Sequence, residues 1–343
     1  MSRFTLRRTV VEDSVALNGL YRSITGIART HDEFLWEWFR GPEGPAPSWV
    51  IVDNDCDKVV AHHGVVRCPL WLGGHVQRAA RTENSMVDAN YRSIVPYVSY
   101  EAMLLKQLLI EFDIIFTTTG KGTPGAIRRR LGYQSVGYWR SFVISEPPGY
   151  LASRVGGQLV GKIVAAMSPN VGKRSNNLRP WVTQDCERIE TLWGACRGDY
   201  SFSPARSASY LKWRLLDNPF TRSELVILTR DDKDFGFFSW SKSSSGRSGA
   251  EIHITDIFCR NNDQASYTEM LTVICEVFRA DPVRVVLRTV ASNAALCVAA
   301  AALVPRRLNS RFSDHGAELL VRTKHSIDLP ASEMTMVITE GIL

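Results

Sequence analysis

The 343-residue sequence lacks the marks of several large protein classes. Its longest apolar stretch, Ala294 to Pro305, falls short of the roughly 20 residues that a membrane-crossing helix needs. Met1 to Arg8 carries arginines with no apolar segment behind them, so no secretory leader is expected. The seven cysteines (Cys56, Cys68, Cys186, Cys196, Cys259, Cys275 and Cys297) form no C-x-x-C pair and are odd in number. They read as buried free thiols of a reducing compartment rather than a disulfide framework. No Walker loop, G-x-G-x-x-G, G-x-S-x-G or H-E-x-x-H occurs, which argues against P-loop, dinucleotide-binding, α/β-hydrolase and zincin chemistry. The histidines and cysteines lack zinc-site spacing, so no metal is expected. Charge of one sign is also scarce: 41 Lys+Arg stand against 35 Asp+Glu, a net +6. The densest basic runs, Arg128–Arg130, Arg306–Arg307 and Lys173–Arg174, are too short for the stripe that nucleic-acid binding needs. These absences lead to the expectation of a cytoplasmic protein, monomer or homodimer, with neither a membrane span nor a nucleic-acid partner.

A 45% hydrophobic, 22% charged chain of this length can bury a sizeable core without staples, and the length fits about two domains. Leu6 to Tyr21 has apolar residues near helical spacing, and Phe34 to Phe39 is an aromatic amphipathic run stopped by Gly41-Pro42. Trp49–Val52 and Val59–Leu72 read as strands around an Asp53–Asp55 turn, and Gly73-Gly74 as a hairpin turn leading to a strand over Val76–Asp88. A helix over Val95–Phe112, a buried strand over Ile114–Thr118, a short helix over Ala126–Leu131 and a last strand over Val136–Ile144 complete an α/β pattern. Proline and glycine punctuate residues 146–190 around one apolar run, Leu159–Met167, which reads as a linker with a helix. Ser241–Ser248 reads as a hairpin loop.

After that linker the pattern repeats at an offset of about 170 residues. Ala208–Arg214 echoes Asp32–Phe39, and the Asp231–Lys233 turn echoes Asp53–Asp57. The strands at Leu225–Thr229, Phe235–Trp240, Glu251–Arg260 and Val283–Arg288 follow in the same order, with a helix at Met270–Phe278 and another at Ser292–Val304. The simplest account is two copies of one unit: 1–145, a linker at 146–190, and 191–330.

Three short motifs resemble the GNAT acyltransferase superfamily. Val60-Ala61-His62-His63-Gly64 is similar to its "V-G-h-x-x" strand. Met86-Val87-Asp88-Ala89-Asn90-Tyr91-Arg92 is similar to the strand and bulge before its phosphate loop, and Ala126 to Gly132-Tyr133 to its final helix and "L-G-F". The resemblance covers residues 1–145 and, less closely, 190–325. It implies two tandem GNAT-like α/β domains, each a mixed, mostly antiparallel sheet flanked by helices, similar to the tandem proteins among sugar N-acyltransferases. It also implies acetyl-CoA or another acyl-CoA as co-substrate.

In that family backbone N–H groups at a helix N-terminus hold the pyrophosphate, helped by glycines. The loop here is Arg92-Ser93-Ile94-Val95-Pro96-Tyr97, without glycine, and its second copy is Arg260–Ala265, again without glycine and with Asp263 to repel phosphate. The resemblance therefore favours the first unit, with Val87, Arg92, Ser93, Ile94, Val95 and Tyr97 as cofactor-binding residues. Lys121, in the loop Lys121–Gly125, and Asn293, in the matching loop of the second copy, are candidates beside the pantetheine arm.

Amine acylation needs a base for the attacking nitrogen. His62 and His63 are candidates, but neighbours on a strand point to opposite faces, so only one can face a cleft. Glu83, on the next strand, competes as base; Asp256 in the second copy is a candidate anchor for the substrate amine, with His253 beside it. The tyrosine acid that the family places on the last helix falls near Arg129 or Arg130 here, leaving Tyr133 as packing and Tyr97 as an alternative. The sequence thus points to an acyl-CoA-dependent N-acyltransferase with a small-molecule amine acceptor, such as a nucleotide-linked amino sugar of polysaccharide synthesis. The rival readings are an aminoacyl-tRNA-dependent transferase on the same fold and a non-catalytic GNAT-like binding protein.

Overall fold

A computed structural model describes residues 2–119, 123–145, 150–152, 159–164, 177–245, 249–279, 281–290, 294–303 and 314–324. Strand β1, Phe4–Arg8, alternates inward and outward side chains, with Phe4 and Leu6 facing in. The helical spacing expected from Leu6 is realised only beyond it, in α1, Ser14–Thr25, which ends at Gly26 in the left-handed conformation suited to a helix C-cap. Helix α2, His31–Trp38, starts at a capping box: Glu33 N–H donates to Thr30 Oγ1 at 3.2 Å, and Thr30 N–H donates to Glu33 Oε2 at 2.6 Å. Then come β2 (Ser48–Asp53), β3 (Lys58–Arg67), the short β4 (Leu70–Leu72) and β5 (His75–Gln77), β6 (Ala79–Val87), α3 (Tyr97–Glu111), β7 (Ile114–Thr119), α4 (Thr123–Arg130) and β8 (Gln134–Ser145).

The order recurs with β9 (Leu178–Thr183), α5 (Cys186–Cys196), β10 (Phe202–Pro204), α6 (Ala208–Leu211) and a π-helical turn, Lys212–Leu216. It continues with β11 (Glu224–Arg230), β12 (Lys233–Ser245), β13 (Gly249–Cys259), α7 (Gln264–Val277), β14 (Val283–Val290), α8 (Ala294–Leu303) and β15 (Asp314–Thr323). Strand β9 and the start of α5 lie inside the stretch read from sequence as linker, because β9 pairs along β11 from Thr183↔Leu225 to Leu178↔Arg230. Strand β12 likewise runs on to Ser245, through most of the serine tract read as a loop.

Twelve strands form one sheet in the order β1-β2-β3-β6-β7-β15-β8-β14-β13-β12-β11-β9. Every neighbouring pair in it is antiparallel except β6–β7 and β13–β14. This is the mixed, mostly antiparallel sheet with flanking helices expected from the sequence. The sheet is continuous because the last strands change sides. Strand β8 lies between β15 and β14, both from the second half, and β15 lies against β7 of the first. An approximate two-fold relation therefore passes between β8 and β15.

The same relation brings the two echoing helical segments together. Trp36 of α2 stacks on Trp213 of the π-helical turn, with ring centroids 4.7 Å apart. Trp36 Nε1 donates to Trp213 O at 3.0 Å and Trp213 Nε1 donates to Trp36 O at 3.3 Å. Such reciprocity (i on j, j on i) is the geometry of an isologous contact. Trp213 is buried in one core with Trp36, Trp38, Phe34, Leu17 and Val50.

Candidate active site

The sheet opens where β6 and β7 part. Their parallel pairing runs from Ala79↔Ile114 to Arg81↔Phe116. Beyond it Thr82–Val87 pair only with β3. The backbone polar groups of β6 on the β7 side must find partners elsewhere, since a buried unpaired amide is costly. The same strand carries a β-bulge: Gly64 faces Glu83 and His62 faces Met86, so Asn84 and Ser85 together oppose His63. Asn84 adopts φ 48°, the left-handed conformation that asparagine tolerates better than most residues.

The two histidines do point to opposite faces. On the α2 side, His62 is buried against Trp38, with ring centroids 4.8 Å apart. His62 Nδ1 lies 2.8 Å from Asn84 O, and a carbonyl can only accept, so Nδ1 carries the proton. Burial lowers the His62 pKa to about 4, far from the value a base needs near neutrality. Gly64 is required beside it, because a Cβ there would stand 2.3 Å from the Trp38 ring.

On the α3 side, His63 Nδ1 lies 3.1 Å from Tyr97 Oη and 3.2 Å from Ser85 Oγ. Arg128 Nη2 donates to Ser85 Oγ at 2.9 Å and Arg128 Nη1 pairs with Glu101 at 2.5 Å. Burial, with Arg128 nearby, holds His63 well below the usual histidine range, and burial pushes the Tyr97 hydroxyl well above the usual tyrosine range. Arg128, the first residue of the basic run Arg128–Arg130, is buried and committed to Glu101 and Ser85. Tyr133 is buried in the core with Leu104 and Leu320, as its packing role implied.

Glu83 is the candidate carboxylate on β6. It is 6% exposed, pairs with Arg81, and lies on the α2 side with Glu37 and Arg214 in electrostatic reach. Burial, opposed by Arg81 and reinforced by Glu37, raises its pKa to about 7. A carboxyl poised near the working pH is what proton transfer favours. Glu37 itself is held by Arg29 at 2.5 Å and by Asn84 Nδ2, which donates to Glu37 Oε1 at 2.9 Å.

The loop after β6 differs between the halves. In the first, Arg92 is exposed, Val87 is half-buried, and Pro96 opens α3 without a side-chain cap. Ser93 and Ile94 are exposed and Val95 is buried. The amides of Ile94 and Val95, expected as phosphate donors, both donate to Tyr91 O, at 3.1 and 2.9 Å. In the second half, Asp263 caps α7 by accepting from Ser266 N–H at 2.7 Å, which puts a carboxylate where an anion would sit. Asp256, the expected amine anchor, is committed to Arg206: Nε donates to Oδ2 at 2.8 Å and Nη2 to Oδ1 at 2.7 Å. Its carboxylate serves an internal ion pair because Arg206, 1% exposed between Trp193 and Phe258, has to be neutralised. His253 lies 2.9 Å from Ser243 Oγ, and burial lowers its pKa to about 4. Lys121 and Asn293 lie outside the described residues.

Sequence reasoning missed Glu37, Arg81 and Arg214, the charges that act on Glu83, and Arg29, which pairs with Glu37. Glu37 and Arg214 carried a signal, each being a charge inside an aromatic helical run.

No family model matches the chain, and no curated protein matches it. Solved structures do. A GCN5-related N-acetyltransferase from Anabaena variabilis superposes with a TM-score of 0.58 at 14% identity, covering 94% of this chain and 73% of that one. A conserved protein from Enterococcus faecalis gives 0.58 at 10% identity, again over 94% and 73%. Saccharomyces cerevisiae N-myristoyltransferase, solved with myristoyl-CoA, gives 0.56 at 12% identity over 95% and 84%. At these identities the likeness is one of fold: the chain has the fold of the GCN5-related N-acyltransferases across nearly its whole length.

Proposed function

We propose that this protein is an acyl-CoA-dependent N-acyltransferase whose active site is the parting of β6 and β7 in the first half. The observation that carries the reading is a buried carboxyl with a pKa near 7, Glu83, at a bulged strand whose partner has diverged. The fold shared with an N-acetyltransferase and with an N-myristoyltransferase supports the reaction class.

The residues present fit such a co-substrate. A pantetheine arm is an extended chain with two amides, suited to the unpaired backbone edge of β6 beyond Arg81. Its phosphates would lie beside exposed Arg92 at the start of α3; the amides of Ile94, Val95 and Tyr97 donate within the loop, so the guanidinium is the main partner for them. The capped α7 makes the second half the poorer site. The bound thioester supplies an activated acyl carbon and a thiol leaving group.

Glu83 takes the proton from the acceptor amine as its nitrogen attacks. The C–N bond forms, the C–S bond breaks, and the sulfur leaves as a thiolate; the proton held by Glu83 returns to solvent, from which the thiolate is protonated, so the net products are an amide and the free thiol. A thiolate is stable enough to leave without a strong acid, so the role of Tyr97 is to fix His63 and the bulge rather than to donate a proton. The acceptor is a small-molecule amine; an amino sugar on a nucleotide is the finer reading, in keeping with the net charge of +6.

Thermal unfolding with acetyl-CoA and longer acyl-CoAs tests the donor. A thioester at about a thousandfold excess over its dissociation constant stabilises by roughly 4 kcal/mol, raising the midpoint by several degrees. No shift with any acyl-CoA at millimolar concentration refutes the reading.

A further inference from the structure

The charges buried around Glu83 do not balance. Arg29, Arg81 and Arg214 face Glu37 and Glu83, three cations against two carboxylates. Arg29 is taken by Glu37 and Arg81 by Glu83. Arg214 is left over. It is 8% exposed, its Nη1 is buried without a hydrogen-bond partner, and no carboxylate among the described residues lies within ion-pair distance of it. Around it are a second cation, Arg81, the neutral pair Cys68 and Tyr210, joined at 3.2 Å between Sγ and Oη, and, acting on it more weakly than these, Glu83, which is already paired with Arg81. A lone guanidinium taken out of water is costly unless an anion answers it. The backbone at this point is irregular as well: Arg214 is the middle residue of the five-residue π-helical turn, a conformation frequent at functional sites.

Arg214 belongs to the second half, whereas Glu83 belongs to the first, so the unanswered cation faces the proposed base across the junction of the halves. We infer that Arg214 binds an anionic group, a carboxylate or a phosphate, of the acceptor whose amine Glu83 deprotonates. The inference rests on the acyltransferase reading for the word acceptor, but the anion site is testable without it. The second half would then contribute the acceptor's anchor and the first half the chemistry. A guanidinium is the suitable group, since its planar fork matches both oxyanions.

The test compares the full chain with Arg214→Met and Arg214→Lys by thermal unfolding and tryptophan fluorescence, Trp213 being the neighbouring reporter. The probes are sodium acetate and sodium phosphate, each titrated to about 100 mM against an equal ionic strength of chloride. Wild type should show a saturable midpoint rise of about 2–4 °C with one of them. Acetate as the effective probe identifies a carboxylate site, and phosphate a phosphate site. Arg214→Met should lose that rise and, without added anion, unfold no lower than wild type, because a buried uncompensated charge has been removed. Arg214→Lys should keep the rise at several-fold weaker affinity.

A drop of more than about 5 °C in Arg214→Met would make Arg214 a structural counter-ion and overturn the inference. So would an anion effect of equal size in wild type and Arg214→Met, or none in wild type. The acetyl-CoA shift, measured in the same proteins, is read separately. Its absence beside an intact anion effect refutes the reaction while leaving the anion site standing.

Discussion

Glu83 and His62 face the same side of the sheet and show how burial sorts titratable groups. Burial disfavours charge, which moves the carboxyl up to about 7 and the imidazole down to about 4. Only the first titrates near neutral pH, as the proposed base must. Glu83→Gln should therefore lower kcat by roughly 10²–10⁴ while leaving acyl-CoA affinity within about twofold. In wild type kcat/KM should rise with pH through about 7, as Glu83 ionises, and this limb should vanish in the variant.

The histidines make a separate prediction for stability. His62 and His253 have folded pKa values of about 4, below the ordinary value near 6.5, so between those pH values the unfolded chain binds more protons than the folded one. Stability is thus full above pH ~6.5 and falls as pH drops towards 4, by about 2 kcal/mol per histidine at pH 5. Urea unfolding at pH 7 and pH 5 measures the fall, and His62→Gln should reduce it.

At residue scale, legibility from sequence was uneven. That His62 and His63 diverge follows from strand geometry alone, and the structure agrees. That Asp256 is bound to Arg206 did not follow, because the two lie fifty positions apart in sequence and only the fold joins them.

Among the elements, β6 and the loop behind it carry the proposed site. The bulge at Asn84–Ser85 re-aims the strand, and its proper register depends on Gly64 lying flat beneath Trp38. Gly64→Ala should destabilise by about 1–3 kcal/mol, since neither the ring nor the strand can yield freely, and chemical denaturation would read it. The two post-strand helices should respond in opposite ways. Arg92→Glu should abolish acyl-CoA binding, whereas Asp263→Ala should cost about 1 kcal/mol as a lost helix cap and leave acyl-CoA binding unchanged.

Most elements were legible in the sequence because strand alternation, turn residues and helix periods are local signals. The Asp231–Asp232 turn, with both residues at positive φ, is one example. The helical reading from Leu6 misplaced β1, and the linker reading missed β9. Both are edge strands of the sheet, and edge strands need little apolar content to be held by a neighbour's backbone.

On the scale of the whole molecule, the two halves exchange their last strands and share one aromatic junction. The exchange was not legible in the sequence, because β8 pairs with β14 and β15, strands more than a hundred positions further along the chain, and only the fold joins them. The consequence is cooperativity: neither half's sheet is complete without a strand from the other. Chemical unfolding should show one transition by both far-UV circular dichroism and tryptophan fluorescence. Trp36→Ala should shift that single transition by about 3–5 kcal/mol rather than split it.

The measurement that bears most directly on the central claim is calorimetric titration of acetyl-CoA into wild type, Arg92→Glu and Asp263→Ala. The account predicts one site per chain in wild type, retained in Asp263→Ala and lost in Arg92→Glu. Two sites per chain, or binding that survives Arg92→Glu and disappears in Asp263→Ala, would contradict the placement of the co-substrate in the first half. The absence of binding in all three would contradict the acyltransferase itself.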